Sequence, residues 1–180
     1  RRSSDLCVVP VTGADLYPTF LDMAGIPLMP GQHQDGVSLL PLLQGKSIPE
    51  RALYWHYPHY GNQGGEPSSI IRQGDWKLIH YYEDGRDELY NLRIDETESE
   101  PLNVQYPEKV EFLSKKLSVW LTEVGARYPE PDPQYNPAAE ALYKKKTRER
   151  MMKTLEATRK KQLGKDFKPN ADWWGSETKD

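Results

Sequence analysis

His56 and His59 stand three residues apart in the stretch Trp55-His56-Tyr57-Pro58-His59-Tyr60-Gly61, where the sequence gathers side chains able to do chemistry. A neutral imidazole both donates and accepts a hydrogen bond, so either histidine can bind a hydroxyl or an anionic oxygen. Tyr57 and Tyr60 can stack on a flat ligand, and Asn62 adds an amide. Two other readings stand beside this one. The same residues can form an aromatic cluster that fastens the segment to a sheet, or the histidines can begin a metal site. A zinc site needs about two further ligands, and neither His33 nor His80 lies at a spacing that suggests them.

The remaining chemistry-bearing residues have plainer readings. The single cysteine, Cys7, excludes an internal disulfide framework and a multi-cysteine zinc site. It lies in the apolar run Leu6–Val11, which reads as a short buried strand, and is expected there as a packed side chain. Arg72 and Lys77 can hold an anion from adjacent strands. The commoner arrangement pairs such residues with acids, here Asp75, Asp84 or Glu88, on a solvated face. Trp76 and Trp120 are expected in a sheet–helix core, and Trp173-Trp174 in a tail that docks on the main body.

The elements that must position these residues are legible from turn chemistry and periodicity. Ile70-Ile71-Arg72, Trp76–Tyr82 and Glu88–Leu92 read as three strands joined through Gln73-Gly74-Asp75 and Glu83-Asp84-Gly85-Arg86. Asp and Gly between β-formers mark tight hairpins. The middle strand is apolar or aromatic on both faces, with Trp76, Leu78 and Tyr82 pointing one way and Ile79 and Tyr81 the other. Such a sheet needs a cover on each side. Ala52–Tyr57 reads as a further strand, ended by Pro58. From Pro107, the residues Val110, Leu113, Leu117, Trp120, Leu121 and Val124 form a helical stripe closed by Gly125. Earlier, Asp15 is expected as the N-cap of a helix with Leu16, Phe20 and Met23 on one face, ended by Gly25. Ser38 is expected to cap a short helix through Leu43.

Fifteen prolines, thirteen glycines, 37% hydrophobic residues and a mean hydropathy of -0.81 are thin for a compact 180-residue globule, so part of the chain is expected to be extended or disordered. No run approaches transmembrane length. Charge is unevenly spread. Between Lys144 and Lys165 ten Lys/Arg face only Glu149 and Glu156, a net of +8, while the remainder carries -11. A proline-rich segment, residues 128–137, separates the acidic body from this basic tail. The tail has helix-forming composition without a continuous apolar stripe. It lacks the aromatic interleaving or reading helix of a nucleic-acid binder, so the tail is expected to be solvated, partly disordered or docked, and weak attraction to a sulfated polyanion is the second possibility.

The order DLYPTFLDMAG, DGVSLLPLLQG, RALYWHYPHY, IRQGDWKLIHYYEDGRDELYNL resembles the C-terminal part of a type I, formylglycine-dependent sulfatase, in particular the bacterial enzymes that act on sulfated polysaccharides. The resemblance covers roughly residues 4–137. It implies an α+β fold: a small antiparallel sheet of about four strands with a C-terminal helix packed across it, preceded by a helix from the end of an alkaline-phosphatase-like α/β domain. The implied division is 1–48 for the end of that domain, 49–127 for the sheet and helix, 128–137 for a linker and 138–180 for a basic tail. It implies hydrolysis of a sulfate ester on a carbohydrate, with calcium and a formylglycine made from a Cys or Ser in a C/S-x-P/A-x-R motif. No position here corresponds to the family's metal ligands, and Cys7 is followed by Val8, Val9, Pro10 and Val11, without the arginine. Neither a catalytic residue nor a metal ligand is therefore carried over. The implied substrate-binding residues are His56, His59, Tyr57 and Asn62, on a loop that the resemblance places at the mouth of a cleft built by a catalytic domain upstream. Partners are then a sulfated saccharide and that missing domain, with no nucleic acid and no membrane span, and the compartment is periplasmic or secreted. The alternatives are a non-catalytic module that binds sulfated glycan, and a phosphodiesterase or phosphonate hydrolase of the same superfamily.

Overall fold

A computed structural model describes residues 7–61 and 65–168. The chain divides into two compact units, Arg1–Pro129 and Glu130–Asp180. The centre of the first is a four-stranded antiparallel sheet of β1 (Ala52–Tyr57), β2 (Ser68–Gln73), β3 (Trp76–Tyr81) and β4 (Asp87–Asn91), in the order β1-β2-β3-β4. Both hairpins inside the stretch 68–91 fall where the glycine turns place them. Gly74 has φ +57, which a side chain would strain, and a Cβ there would come within 3.3 Å of Glu50 Oε1.

Register assigns every side chain to a face. Tyr54 pairs with Ile71, Ile71 with Leu78, and Leu78 with Leu89. This row meets α3 (Pro107–Glu123), whose Leu113, Leu117 and Leu121 close a dry core with Ile71, Leu78 and Leu89. The helix begins with Pro107 in its first turn, where the missing N–H has no intrahelical partner to lose. Trp120 stacks on Tyr54 with ring centroids 4.9 Å apart, and Trp76 packs against the same core, so both tryptophans take the expected place. Val124 departs from the predicted stripe. It is the C-cap of α3 and is exposed, while Leu121 in the last turn still closes the core.

The opposite face is built differently. Leu53, Ile79 and Tyr90 are buried on it, but polar side chains lie among them. Lys77 is held by both carboxylate oxygens of Glu98, at 2.7 and 2.6 Å. The expected partners Asp75, Asp84 and Glu88 are not used by Lys77. Glu98 reaches it from a loop in which its own φ is +56, so a local backbone cost secures the pair. Arg86 lies 3.7 Å above the Tyr81 ring and pairs with Glu66, Asp84 and Glu88.

Ahead of the sheet, α1 (Leu16–Met23) and α2 (Leu40–Leu43) are joined through Asp15. Asp15 is fully buried. It is less a helix cap than a junction, since its carboxylate accepts from the Thr12 and Val37 backbone N–H groups and from the Arg51 guanidinium. Burial alone would raise its pKa, but the Arg51 hydrogen bond and the two backbone N–H groups outweigh this and hold it below the usual value. Gly36 permits the closure, because a Cβ there would stand 2.2 Å from Ala14 O. Ser38 donates to Asp22 and accepts from Leu40 N–H at 3.2 Å. The predicted strand over Leu6–Val11 does not form in its described part. Residues 7–11 are irregular, and Cys7 is exposed rather than packed. Among the described residues no strand lies beside it to take its backbone groups. The apolar face of α1 forms as the periodicity predicts, yet Leu16, Phe20 and Met23 are 50%, 61% and 58% exposed.

The second unit contains α4 (Pro137–Gln162). Asn136 caps it by accepting from Ala138 N and Ala139 N at 3.1 Å each. It buries none of its residues. Trp173 and Trp174 lie outside the described residues.

Candidate functional site

Side chains alternate along β1, and this separates the residues that the sequence groups together. His56 points to the α3 side and Tyr57 to the other. His56 Nε2 is 2.9 Å from the carbonyl oxygen of Arg127, and Nδ1 is 2.7 Å from Ser69 Oγ. A carbonyl only accepts, so Nε2 carries the proton. In the neutral ring Nδ1 then accepts from the Ser69 hydroxyl, whose oxygen accepts in turn from Tyr82 OH at 2.6 Å. Rings of Tyr82 and Tyr128 pack edge-on against the imidazole. Ser69 is fully buried, which removes it as a nucleophile. This relay clamps β1 to the chain that follows α3.

Further along the same row His80 Nδ1 meets Asp87 Oδ1 at 2.8 Å. The Asp87 hydrogen bond raises the His80 pKa above its ordinary value, against an opposing effect of burial.

Tyr57 and His59 remain together on the other side. Their ring centroids are 5.5 Å apart at 85°. Tyr57 is 54% exposed, Trp55 on the same face is 42% exposed, and His59 is exposed. The strand is a sheet edge, so nothing within the sheet lies beyond it. Asn62, the fourth sequence-predicted residue, lies outside the described residues.

Arg72 belongs to this surface. It is the cross-strand partner of Leu53, which shares a face with Trp55 and Tyr57. Among the described residues Arg72 makes no ion pair, and its buried Nε has no hydrogen-bond partner. Sequence reasoning paired Arg72 with Lys77 as one candidate. The structure neutralises Lys77 with Glu98 and leaves Arg72 available, a distinction set by a contact across 21 residues.

These side chains offer an aromatic edge, an imidazole and an unpaired guanidinium. Side chains of these types can bind an anionic or hydroxyl-rich ligand, with Arg72, opposite Leu53, four residues along the strand from Tyr57. The set holds no nucleophile. Among the described residues no group of three His, Cys, Asp or Glu is placed to hold a metal ion. The best-buried carboxylate, Asp15, is occupied by Arg51, and Glu88 by Arg86, Tyr81 and Tyr90. The described residues therefore do not fit a calcium site, and exposed Cys7 lacks the motif for formylglycine.

The chain belongs to the family described as N-sulphoglucosamine sulphohydrolase, C-terminal, which matches residues 6–126. Among its relatives, arylsulfatase K of Mus musculus is 34% identical over 115 residues, covering 59% of this chain and 20% of the relative. N-acetylglucosamine-6-O-sulfatase of Bacteroides thetaiotaomicron is 35% identical over 127 residues, covering 66% of this chain and 22% of the relative. A structure solved with its substrate D-glucosamine-2-N,6-O-disulfate superposes with a TM-score of 0.53 at 31% identity, covering 67% of this chain and 25% of that one. The chain thus spans about a fifth to a quarter of these proteins. The family implies calcium and formylglycine in general, and the described residues supply neither.

Proposed function

We propose that this chain is the C-terminal portion of a sulfuric ester hydrolase acting on a sulfated carbohydrate, and that the end of β1 forms part of the substrate side of its active site. On this reading residues 1–48 complete a catalytic α/β domain, and residues 49–127 are the sheet-and-helix subdomain that closes on it. The exposed faces of α1 and of the sheet are where that domain docks. Tyr57, His59 and Asn62 contact the sugar, Arg72 takes an anionic substituent, and His56 positions the loop by clamping its strand. The parent enzyme's formylglycine supplies the nucleophile and its calcium the charge stabilisation, both on residues outside those described. The compartment is periplasmic or secreted.

The observation that carries the reading is the Tyr57–His59 pair, exposed at the edge of a sheet whose sequence belongs to a sulfatase C-terminal family. The pure 180-residue chain, incubated with an aryl sulfate, is expected to release no sulfate above background. Turnover by the chain alone would place the nucleophile within it and overturn the division of labour proposed here.

A further inference from the structure

Helix α4 is not explained by the sheet unit or its ligand. It carries nine Lys/Arg and three Glu in 26 residues, a net of +6. The whole chain is -3, so everything outside the helix carries -9. A helix that buries nothing gains no stability from an apolar face. It is sustained instead by the Asn136 cap, Pro137 in the first turn, and Arg159, Lys160 and Lys161 at the negative end of the dipole.

We propose that α4 binds a sulfated polysaccharide, recognising it by linear charge density along the helix from Lys144 to Lys161. The identity of the polyanion rests on the sulfated-carbohydrate reading above, and the binding element rests on the helix itself. Successive residues step around a helix by about 100°, so Lys144, Lys145 and Lys146 already fan across more than half its circumference. Arg148, Arg150, Lys153, Arg159, Lys160 and Lys161 continue the pattern over a rise of roughly 26 Å. Intrahelical pairs occupy Lys144, through Glu140, and Arg159, through Glu156. Cations around roughly 260° of the circumference suit a flexible polyanion that wraps, and its displaced counterions supply the driving force.

The apolar residues argue against the other occupants. Leu142 and Tyr143 lie in the second turn, Met151, Met152 and Leu155 just past the midpoint, and the two groups share no stripe. A membrane-lying helix or a coiled-coil partner needs such a stripe. Tyr143 is the helix's single aromatic residue, too little for stacking along single-stranded nucleic acid. The acidic remainder of the chain repels the same polymer, so the helix is where it would collect.

The test uses the full 180-residue chain with heparin, fully desulfated heparin and duplex DNA at several salt concentrations. Wild type is expected to bind heparin with a steep salt dependence, duplex DNA more weakly, and desulfated heparin much more weakly. The variant K145Q/K146Q/K153Q/K160Q/K161Q keeps helix propensity, since Gln and Lys are near equals. It should bind heparin weaker by on the order of tenfold or more at low salt, with a log–log slope shallower by about one for each contacting lysine removed. Glu149→Lys should tighten binding, a gain that misfolding would not produce. Tyr57→Ala, which removes no charge, should leave the salt slope unchanged. Heparin affinity unaltered in the lysine variant would overturn the proposal. So would tighter binding to DNA than to heparin at equal salt, or equal binding to the desulfated polymer. If heparin binding fails only in Tyr57→Ala, the helix proposal falls and the sheet reading stands. If it fails only in the lysine variant while the sheet shows no contact with a sulfated monosaccharide, the reverse holds.

Discussion

The two faces of one sheet have opposite economies of contact. Toward α3, Ile71, Leu78 and Leu89 meet Leu113, Leu117 and Leu121, and the chain closes this core by itself. On the other side Leu53, Ile79 and Tyr90 are buried, but Arg86, Lys77 and Glu88 are interleaved with them and Trp55 and Tyr57 stay open. A face closed by packing is indifferent to what lies outside the chain. The other face carries exposed aromatics, paired charges and, among the described residues, the Arg72 guanidinium without an ion pair, and on the reading proposed above it meets a further surface or ligand. The difference is that the chain packs one side of four strands by itself and leaves aromatic and charged side chains open on the other.

Truncation should separate the two faces by a wide margin. Leu78→Ala or Leu117→Ala removes a fully packed side chain and is expected to cost about 2–5 kcal/mol, read as a lower urea midpoint by fluorescence of the sheet unit. A loss as small as that of a surface substitution would mean that α3 does not close this face. The junction beneath the first helix comes next. Arg51→Ala leaves the buried Asp15 carboxylate without its cation but with the Thr12 and Val37 N–H groups, and the expected cost is about 2 kcal/mol at neutral pH. The pH dependence has a definite sign. The Asp15 pKa is lowered by folding, so its contribution is complete above the unfolded value of about 4 and is lost as pH falls through the folded value. The midpoint of the wild type should therefore fall in acid more steeply than that of Asp15→Asn.

The relay on the α3 side gives smaller effects. His56→Ala removes the links to Arg127 O and Ser69 Oγ and should cost about 1–2 kcal/mol. His80 titrates in the opposite sense to Asp15. Its folded pKa is raised through Asp87, so its contribution is complete below about 6.5 and fades as pH rises through the folded value. Asp87→Asn should flatten the decline in midpoint between mildly acid and mildly alkaline solution, and an unchanged slope would sever that pair from stability. Smallest of all is Tyr57→Ala, within about 0.5 kcal/mol of wild type in denaturant, because it is 54% exposed and its ring partner His59 is itself exposed. A cost as large as that of Leu78→Ala would show that this residue is structural and end the contrast between the faces.

What the sequence made legible follows the range of the forces involved. The hairpins were readable because Gly74 and Gly85 act on their immediate neighbours. The helix over residues 107–123 was readable because its stripe is local and periodic. The same locality misled at Leu6–Val11, where apolar residues suggest a strand but no described neighbour provides a ladder. The α1 stripe was found correctly, but periodicity alone does not say whether a cover is present. Lys77 met Glu98, Asp15 met Arg51, and His56 met Arg127, contacts spanning 21, 36 and 71 residues that no short pattern encodes. Grouping His56 with Tyr57 and His59 overlooked the strand's alternation, which sends the first to the α3 side. Arg72 emerged as a cation without an ion pair among the described residues only once Glu98 was seen to take Lys77.

The division between faces is tested most directly by side-chain NMR of the 180-residue chain during titration with D-glucosamine-2-N,6-O-disulfate. Saturable shifts are expected for the Tyr57 and His59 rings, Trp55 and the Arg72 Nε–H, with the methyl signals of Leu113, Leu117 and Leu121 unmoved. Saturable shifts on the α3 side with none at the end of β1, or no shift at either face at saturating ligand, would contradict it.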